Sequence, residues 1–194
     1  MKKKIVLAST SRYRAELLQR LRFPFEVAKP NADESPLNRE KPAHTAERLS
    51  LAKARSVVAA YPGSLIIGSD QVAELNGLPI GKPGNLGRAR LQLRAMRGQT
   101  LVFHTGIALL NVDSGSMQSA TIPTIVRFRD YSDAEIEIYL EREDALDCAG
   151  SAKSEGLGIA LIAAMESEDP TALVGLPLIA LATMLNNEGF GVLA

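Results

Sequence analysis

Two short polar stretches carry the groups from which a reactive site is most readily built. Ser9-Thr10-Ser11-Arg12-Tyr13-Arg14 follows the apolar run Ile5-Val6-Leu7-Ala8, and Ser69-Asp70-Gln71 follows Leu65-Ile66-Ile67-Gly68. Hydroxyls, free N–H groups at a helix start and guanidinium forks are what a phosphate needs, and the first stretch offers all of these. The same residues also make an ordinary helix cap followed by a solvated turn. Asp70 has the chemistry of a general base or of a ligand for a hard cation, and equally that of a structural or capping carboxylate. Lys82 in Gly81-Lys82-Pro83 is either a cation for an anionic ligand or a turn lysine.

Other signatures fail on inspection. Gly77 to Lys82 has one residue too few between its glycines for a phosphate loop, and Pro83 stands where that loop needs Ser or Thr. Gly156-Leu157-Gly158 lacks the third glycine of a dinucleotide fingerprint, and no Gly-x-Ser-x-Gly elbow occurs. His44 and His104 have no metal-ligand spacing and read as surface or structural residues. Cys148, the only cysteine, reads as a small apolar side chain in a reducing compartment.

The elements that must position these groups alternate. Ile5 to Ala8 reads as a buried strand, Ser11 caps a helix running to about Leu21, and Phe25 to Ala28 is a second strand. Lys29 to Pro42 is a loop, and Thr45 starts a helix reaching Ala60. Leu65 to Asp70 is a strand ending in the polar groups, followed by a hairpin of Val72 to Leu75 and Leu78 to Ile80 turning at Asn76-Gly77. A basic helix spans Asn85 to Met96, with antiparallel strands at Leu101 to Phe103, Gly106 to Asn111 and Met117 to Phe128. Ser132-Asp133-Ala134-Glu135 is a capping box, Gly158 to Ile162 a strand, and Pro177 the first residue of a last helix.

This order specifies an α/β fold with a mixed twisted sheet and flanking helices. Its 194 residues fit one domain over 1–194, and 46% apolar with 23% charged residues fits an ordinary globule. Lys plus Arg equal Asp plus Glu at 22 each, so no global field attracts a polyanion and nucleic acid is not an expected partner. The apolar stretch after Lys2-Lys3-Lys4 is too short for a signal peptide, and Pro170 to Asn187 is too interrupted to span ~30 Å of hydrocarbon. A cytoplasmic protein without a membrane partner is expected.

Taken together, Leu7-Ala8-Ser9-Thr10-Ser11, Gly68-Ser69-Asp70-Gln71-Val72, Gly81-Lys82-Pro83, Thr105-Gly106, Ala149-Gly150-Ser151 and Val174-Gly175-Leu176-Pro177-Leu178 resemble, in order and spacing, the Maf family of nucleoside triphosphate pyrophosphatases. The resemblance covers nearly the whole chain. Tyr13, Gln71 and Lys153-Ser154-Glu155-Gly156 are similar to the subgroup acting on 7-methyl-GTP, where pyrimidine-specific members carry Arg, Thr and Gln at the three selective positions.

The resemblance implies two lobes around a central cleft, a divalent metal, magnesium with manganese or cobalt as alternatives, a nucleotide substrate and a possible homodimer. It makes Asp70 the proton acceptor, Ser9, Arg14, Lys53 and Lys82 the phosphate-binding groups, and Glu34 with Asp70 the metal-side carboxylates. Tyr13, Gln71 and Glu155 become the selective residues. One departure stands out: Arg12 occupies a position that is usually Pro in the family. The implied alternatives are a pyrophosphatase for pyrimidine or other modified nucleotides, and a nucleotide-binding regulator of growth or division without turnover.

Overall fold

In the computed structural model, which describes residues 3–35 and 37–193, the apolar run near the start is strand β1 (Lys4–Ala8), with Ile5 to Ala8 buried. It lies parallel to β2 (Glu26–Ala28) on one side and β3 (Ser64–Leu75) on the other. The connections are helices α1 (Arg12–Gln19) and α2 (Pro42–Arg55). Antiparallel pairing then adds β4 (Leu78–Ile80) on β3, and continues the sheet through β5 (Thr100–Asn111), β6 (Met117–Phe128) and β7 (Ile162–Ser167). The result is a mixed seven-stranded sheet in the order β2-β1-β3-β5-β6-β7 with β4 off the path. Helices α3 (Leu86–Met96), α4 (Asp133–Arg142) and α5 (Leu178–Asn187) complete the fold.

The long strands β3 and β5 run through two separate apolar cores. At one end Leu65, Ile67, Ile107 and Leu109 pack with Leu17 and Leu18 of α1 and Leu181 and Leu185 of α5. At the other, Ala73, Leu101 and Phe103 pack with Leu93 and Met96 of α3 and Ile136 and Tyr139 of α4. The polar residues Ser69, Asp70, Gln71 and Thr105 fall between these cores, which is how the sheet presents chemistry at its middle.

Side chains alternate along β3. Ile66, Gly68 and Asp70 face α2, while Ser69 and Gln71 face a short 3-10 turn at Ala172–Val174. Helix α2 lies so close to the sheet that a Cβ on Gly68 would stand 2.1 Å from the Ser50 carbonyl oxygen, and one on Gly106 would stand 2.2 Å from that of Ala46. Asp70 is the register partner of Gly106, so this contact brings the helix face bearing Lys53 onto Asp70.

Several boundaries differ from the sequence reading, each for a local reason. Strand β3 does not stop at Asp70, because β5 pairs with it from Leu65 to Glu74; the polar trio is inside the strand. For the same reason β5 is one strand through His104 and Thr105. Helix α2 begins at Pro42, not Thr45, since Pro loses nothing at a first-turn position, and it ends at Arg55 before a 3-10 turn at Val58–Ala60.

Helix α1 stops at Gln19, short of Leu21, before Arg22 adopts a φ of 56°. The strand expected at Gly158 to Ile162 is a 3-10 helix (Leu157–Leu161), with β7 following. There the Leu157 N–H donates to Glu143 and Gly158 lies against the Lys153 backbone, which bends the chain out of extension. Pro177 precedes α5 as its cap. The Leu178 and Ile179 N–H groups are satisfied by Thr171 Oγ1 at 2.9 Å and Asp169 Oδ2 at 2.7 Å.

The Asn76-Gly77 turn has positive φ at both residues, 52° and 81°, as type I′ geometry requires, and the Ser132/Glu135 capping box is complete. Among the described residues no helix is long and apolar enough to cross a membrane.

Gly106→Ala is expected to lower stability by about 1–3 kcal/mol, because the added methyl meets backbone that cannot turn aside. Gly81→Ala, whose Cβ meets nothing within 4 Å, is expected to stay within about 0.5 kcal/mol of wild type. Urea denaturation of the two variants checks the contrast.

Candidate active site

A cleft of about 1350 Å³ opens between the two packed ends of the sheet, and Ser9, Tyr13, Arg14, Glu34, Lys53, Asp70, Gln71, Lys82 and Glu155 all line it. Residues far apart in sequence converge there because the β1–α1 turn, α2, the middle of β3 and the segment after β4 all open onto it. Ser9 is buried, and its Oγ accepts from the Ser11 N–H at 3.1 Å; Ser11 in turn caps α1 by accepting from the Arg14 N–H. The turn is therefore a helix cap, and it lines the cleft.

The centre of the cleft is acidic and neutralised from beneath. Lys53 is 6% exposed, and its Nζ lies 2.6 Å from Asp70 Oδ1 and 3.0 Å from Glu34 Oε1. Asp70 is itself buried, whereas Glu34 reaches in from the exposed loop before α2. Arg14 donates from Nε to the Gly175 carbonyl at 2.8 Å. Burial pulls its guanidinium below the ordinary arginine value, and the nearby charges of Asp70 and Glu34 push the other way. Lys82 is exposed and has no hydrogen bond or ion pair among the described residues. Its segment is held by the Gly81 carbonyl, which accepts from the Gly150 N–H and from Gln92 Nε2.

One wall is built by residues the sequence did not single out for that work. Ser69 Oγ lies 2.8 Å from the carbonyl oxygens of both Gly106 and Gly175, and Thr105 Oγ1 donates to the Ala172 carbonyl at 2.9 Å. Gln71 Nε2 lies within 3.1 Å of Thr105 Oγ1, Ala172 O and Leu173 O. Gln71 thus lines the cleft with its amide nitrogen committed to the turn at 172–175. The available signal was the run of polar side chains inside otherwise apolar strands, since a buried hydroxyl must find a partner.

At the opposite end Tyr13 is held by its neighbours. Its hydroxyl accepts from Arg12 at 2.8 Å and donates to Asp147 Oδ1 at 3.4 Å, while the Arg12 guanidinium lies 4.8 Å from the ring centroid. Arg12 therefore belongs to the aromatic group and not to the acidic centre. Glu155 is exposed and has no ion pair among the described residues, because the adjacent Lys153 is paired with Glu143 at 2.7 Å. The Cys148 thiol beside them is pushed up to about 12, first by burial and then by the charges of Asp147 and Glu155. His104 pairs with Glu74 outside the cleft.

Two carboxylates, Asp70 and Glu34, share one ammonium here. Their oxygen-only donor set suits a hard divalent ion that completes its shell with water and phosphate oxygens. Among the described residues no three His, Cys, Asp or Glu side chains form a closed metal cage.

Comparison with known proteins gives this geometry its context. The family model described as "Maf-like protein" matches residues 4–188. A protein of Polaromonas named 7-methyl-GTP pyrophosphatase is 58% identical over 190 residues, covering 98% of this chain and 87% of its own. Proteins of the same name from Aromatoleum aromaticum and Thiobacillus denitrificans are 55% and 56% identical, covering 96% and 97% of this chain and 96% and 94% of theirs. With a family model matching residues 4–188 and relatives more than half identical over nearly its whole length, the chain belongs to the Maf family.

Proposed function

We propose that the protein is a nucleoside triphosphate pyrophosphatase that hydrolyses 7-methyl-GTP to 7-methyl-GMP and pyrophosphate, removing a modified nucleotide in the cytoplasm. The observation that carries this reading is the division of one cleft. Asp70, Glu34, Lys53, Arg14 and Lys82 line it with phosphate chemistry, and Tyr13 beside an unpaired Glu155 lines it with groups for a cationic ring. The name shared by relatives more than half identical over nearly the whole chain supports the same assignment. The reading includes a possible homodimer.

Cleavage between the α and β phosphates requires in-line attack by water on a crowded polyanion, so positioning and charge neutralisation dominate the rate. Asp70 accepts the proton of the attacking water. Arg14, Lys53 and Lys82 neutralise the phosphate chain and the pyrophosphate leaving group, while Ser9 and the first turn of α1 offer polar contacts to it. A divalent cation, with magnesium best matched to the donors and manganese or cobalt usable by the same pair, would be held by Asp70 and Glu34; it supplies Lewis-acid polarisation of phosphate oxygens.

Base selection follows from charge and shape. The guanine edge presents an N–H beside an amino group, and the two carboxylate oxygens of Glu155 accept from both. Methylation at the seven position makes the ring cationic, which favours Glu155 again and adds a cation–π component of about 0.5–2 kcal/mol on Tyr13. Gln71 contributes by fixing the wall at 172–175 against which the nucleotide rests.

Asp70→Asn is expected to lower kcat by about 10²–10⁴-fold while far-UV circular dichroism stays native. A pyrophosphate-release assay at saturating metal reads this, and full activity would remove Asp70 from the mechanism. Lys82→Ala is expected to depress kcat/KM for every nucleoside triphosphate by a similar factor, since it meets phosphate and not base. A change confined to base preference would reassign it. Glu155→Gln and Tyr13→Ala are each expected to reduce the ratio of kcat/KM for 7-methyl-GTP over GTP. Parallel kinetics on the two nucleotides reads that ratio, and an unchanged ratio in both variants would defeat the proposed base site.

A further inference from the structure

The ammonium of Lys53 occupies the position that joins the two carboxylates at the centre of the cleft. Among the described residues it is the only hydrogen-bond partner of the Asp70 carboxylate and the only ion-pair partner of Glu34. Without it, two like charges, one of them buried, would be left with no directly paired cation. Glu34 comes from an irregular loop that Arg48 and Ser56 also hold against α2, through the Ser35 carbonyl and the Asn31 N–H, so this contact aims a carboxylate from a segment already anchored. The lysine stem is fixed by burial, since α2 packs on the sheet at Gly68 and Gly106, but the terminal ammonium sits on the cleft wall.

An entering divalent cation meets an ammonium already lodged between its ligands. For the carboxylates to turn to the metal, Lys53 must give them up, and a nearly buried ammonium is not released without another counter-ion. The phosphate chain of a nucleotide supplies one. Arg14 lies within electrostatic reach of both carboxylates, but among the described residues it pairs with neither, its Nε donating to the Gly175 carbonyl.

We propose that Lys53 is a positioning residue that acts as the resident counter-ion of Asp70 and Glu34, keeping them assembled in the free protein and passing to the phosphate chain as a divalent cation takes its place. The inference rests on the reading of the cleft as a metal and triphosphate site, and adds that cation and anion bind cooperatively there. Reciprocity follows: whatever factor the anion adds to cation affinity, the cation adds to anion affinity.

The test measures binding of Mn²⁺ by calorimetry to wild type, Lys53→Met and Lys53→Arg, without nucleotide. Methionine keeps an unbranched stem of similar reach and removes the charge; arginine keeps the charge. Lys53→Met is expected to bind Mn²⁺ about 10-fold or more tightly than wild type, and Lys53→Arg to remain as weak as wild type. A second measurement uses wild type alone, which covers the case in which Lys53→Met fails to fold. Inorganic pyrophosphate is expected to strengthen Mn²⁺ binding by about 10-fold, within the usual range of coupling, after subtraction of a protein-free blank for metal held by pyrophosphate itself. Equal Mn²⁺ affinity in wild type and a folded Lys53→Met, or the absence of coupling in wild type, overturns the role of Lys53. Pyrophosphate release from nucleotides by wild type is assayed separately, so an active enzyme without coupling loses only this inference, whereas an inactive protein loses the catalytic reading on which it stands.

Discussion

The approach of α2 to the sheet is the constraint on which the site depends. Two glycines on neighbouring strands let a helix backbone lie where side chains would normally hold it away. That proximity converts a sequence separation of 17 residues into the 2.6 Å contact between Lys53 and Asp70. It also buries the contact, which strengthens its electrostatics and raises the cost of leaving either group alone. Packing and chemistry are set by the same surface here: the helix that covers β3 also carries the charge that makes a carboxylate within β3 tolerable.

Much of this was legible in the sequence, and the limits are physical. The apolar runs at Ile5 to Ala8 and Leu65 to Ile67, the Asn76-Gly77 hairpin and the capping box at Ser132 are local signals, and local signals survive into the fold. The nine expected site residues all line the same cleft. What local pattern did not reveal was the continuity of β3 through Ser69, Asp70 and Gln71. Polar residues there read as a strand end, yet cross-strand pairing with β5 carries the strand onward. The pairing of Lys53 with two carboxylates was equally hidden, since ion pairs between a helix, a strand and a loop leave no periodic trace. The strand expected at Gly158 failed because tertiary contacts of Glu143 and Lys153 outweighed a short apolar run.

The base end illustrates how a departure from a family pattern is absorbed. A proline at the start of α1 would contribute a fixed φ and nothing more. Arg12 instead lays its guanidinium on Tyr13 and donates to its hydroxyl, while Asp147 accepts from the same hydroxyl. The side chain that replaces a rigid ring thus orders a neighbouring one, and its positive charge is directed away from the acidic centre.

The wall at 172–175 couples two parts of the chain that a substitution would otherwise reach separately. In the proposed function Gln71 is a selective residue, and its amide also meets the Ala172 and Leu173 carbonyls. Exchanging Gln71 takes its donor from the Leu173 carbonyl, whereas the Ala172 carbonyl keeps the Thr105 hydroxyl and the Gly175 N–H. One side chain therefore serves both the cleft lining and a turn about a hundred residues away in sequence. Thr105, which meets both the Gln71 amide and the Ala172 carbonyl, is the hinge between the two: a change at position 71 is felt first in a hydroxyl that holds the turn from the neighbouring strand.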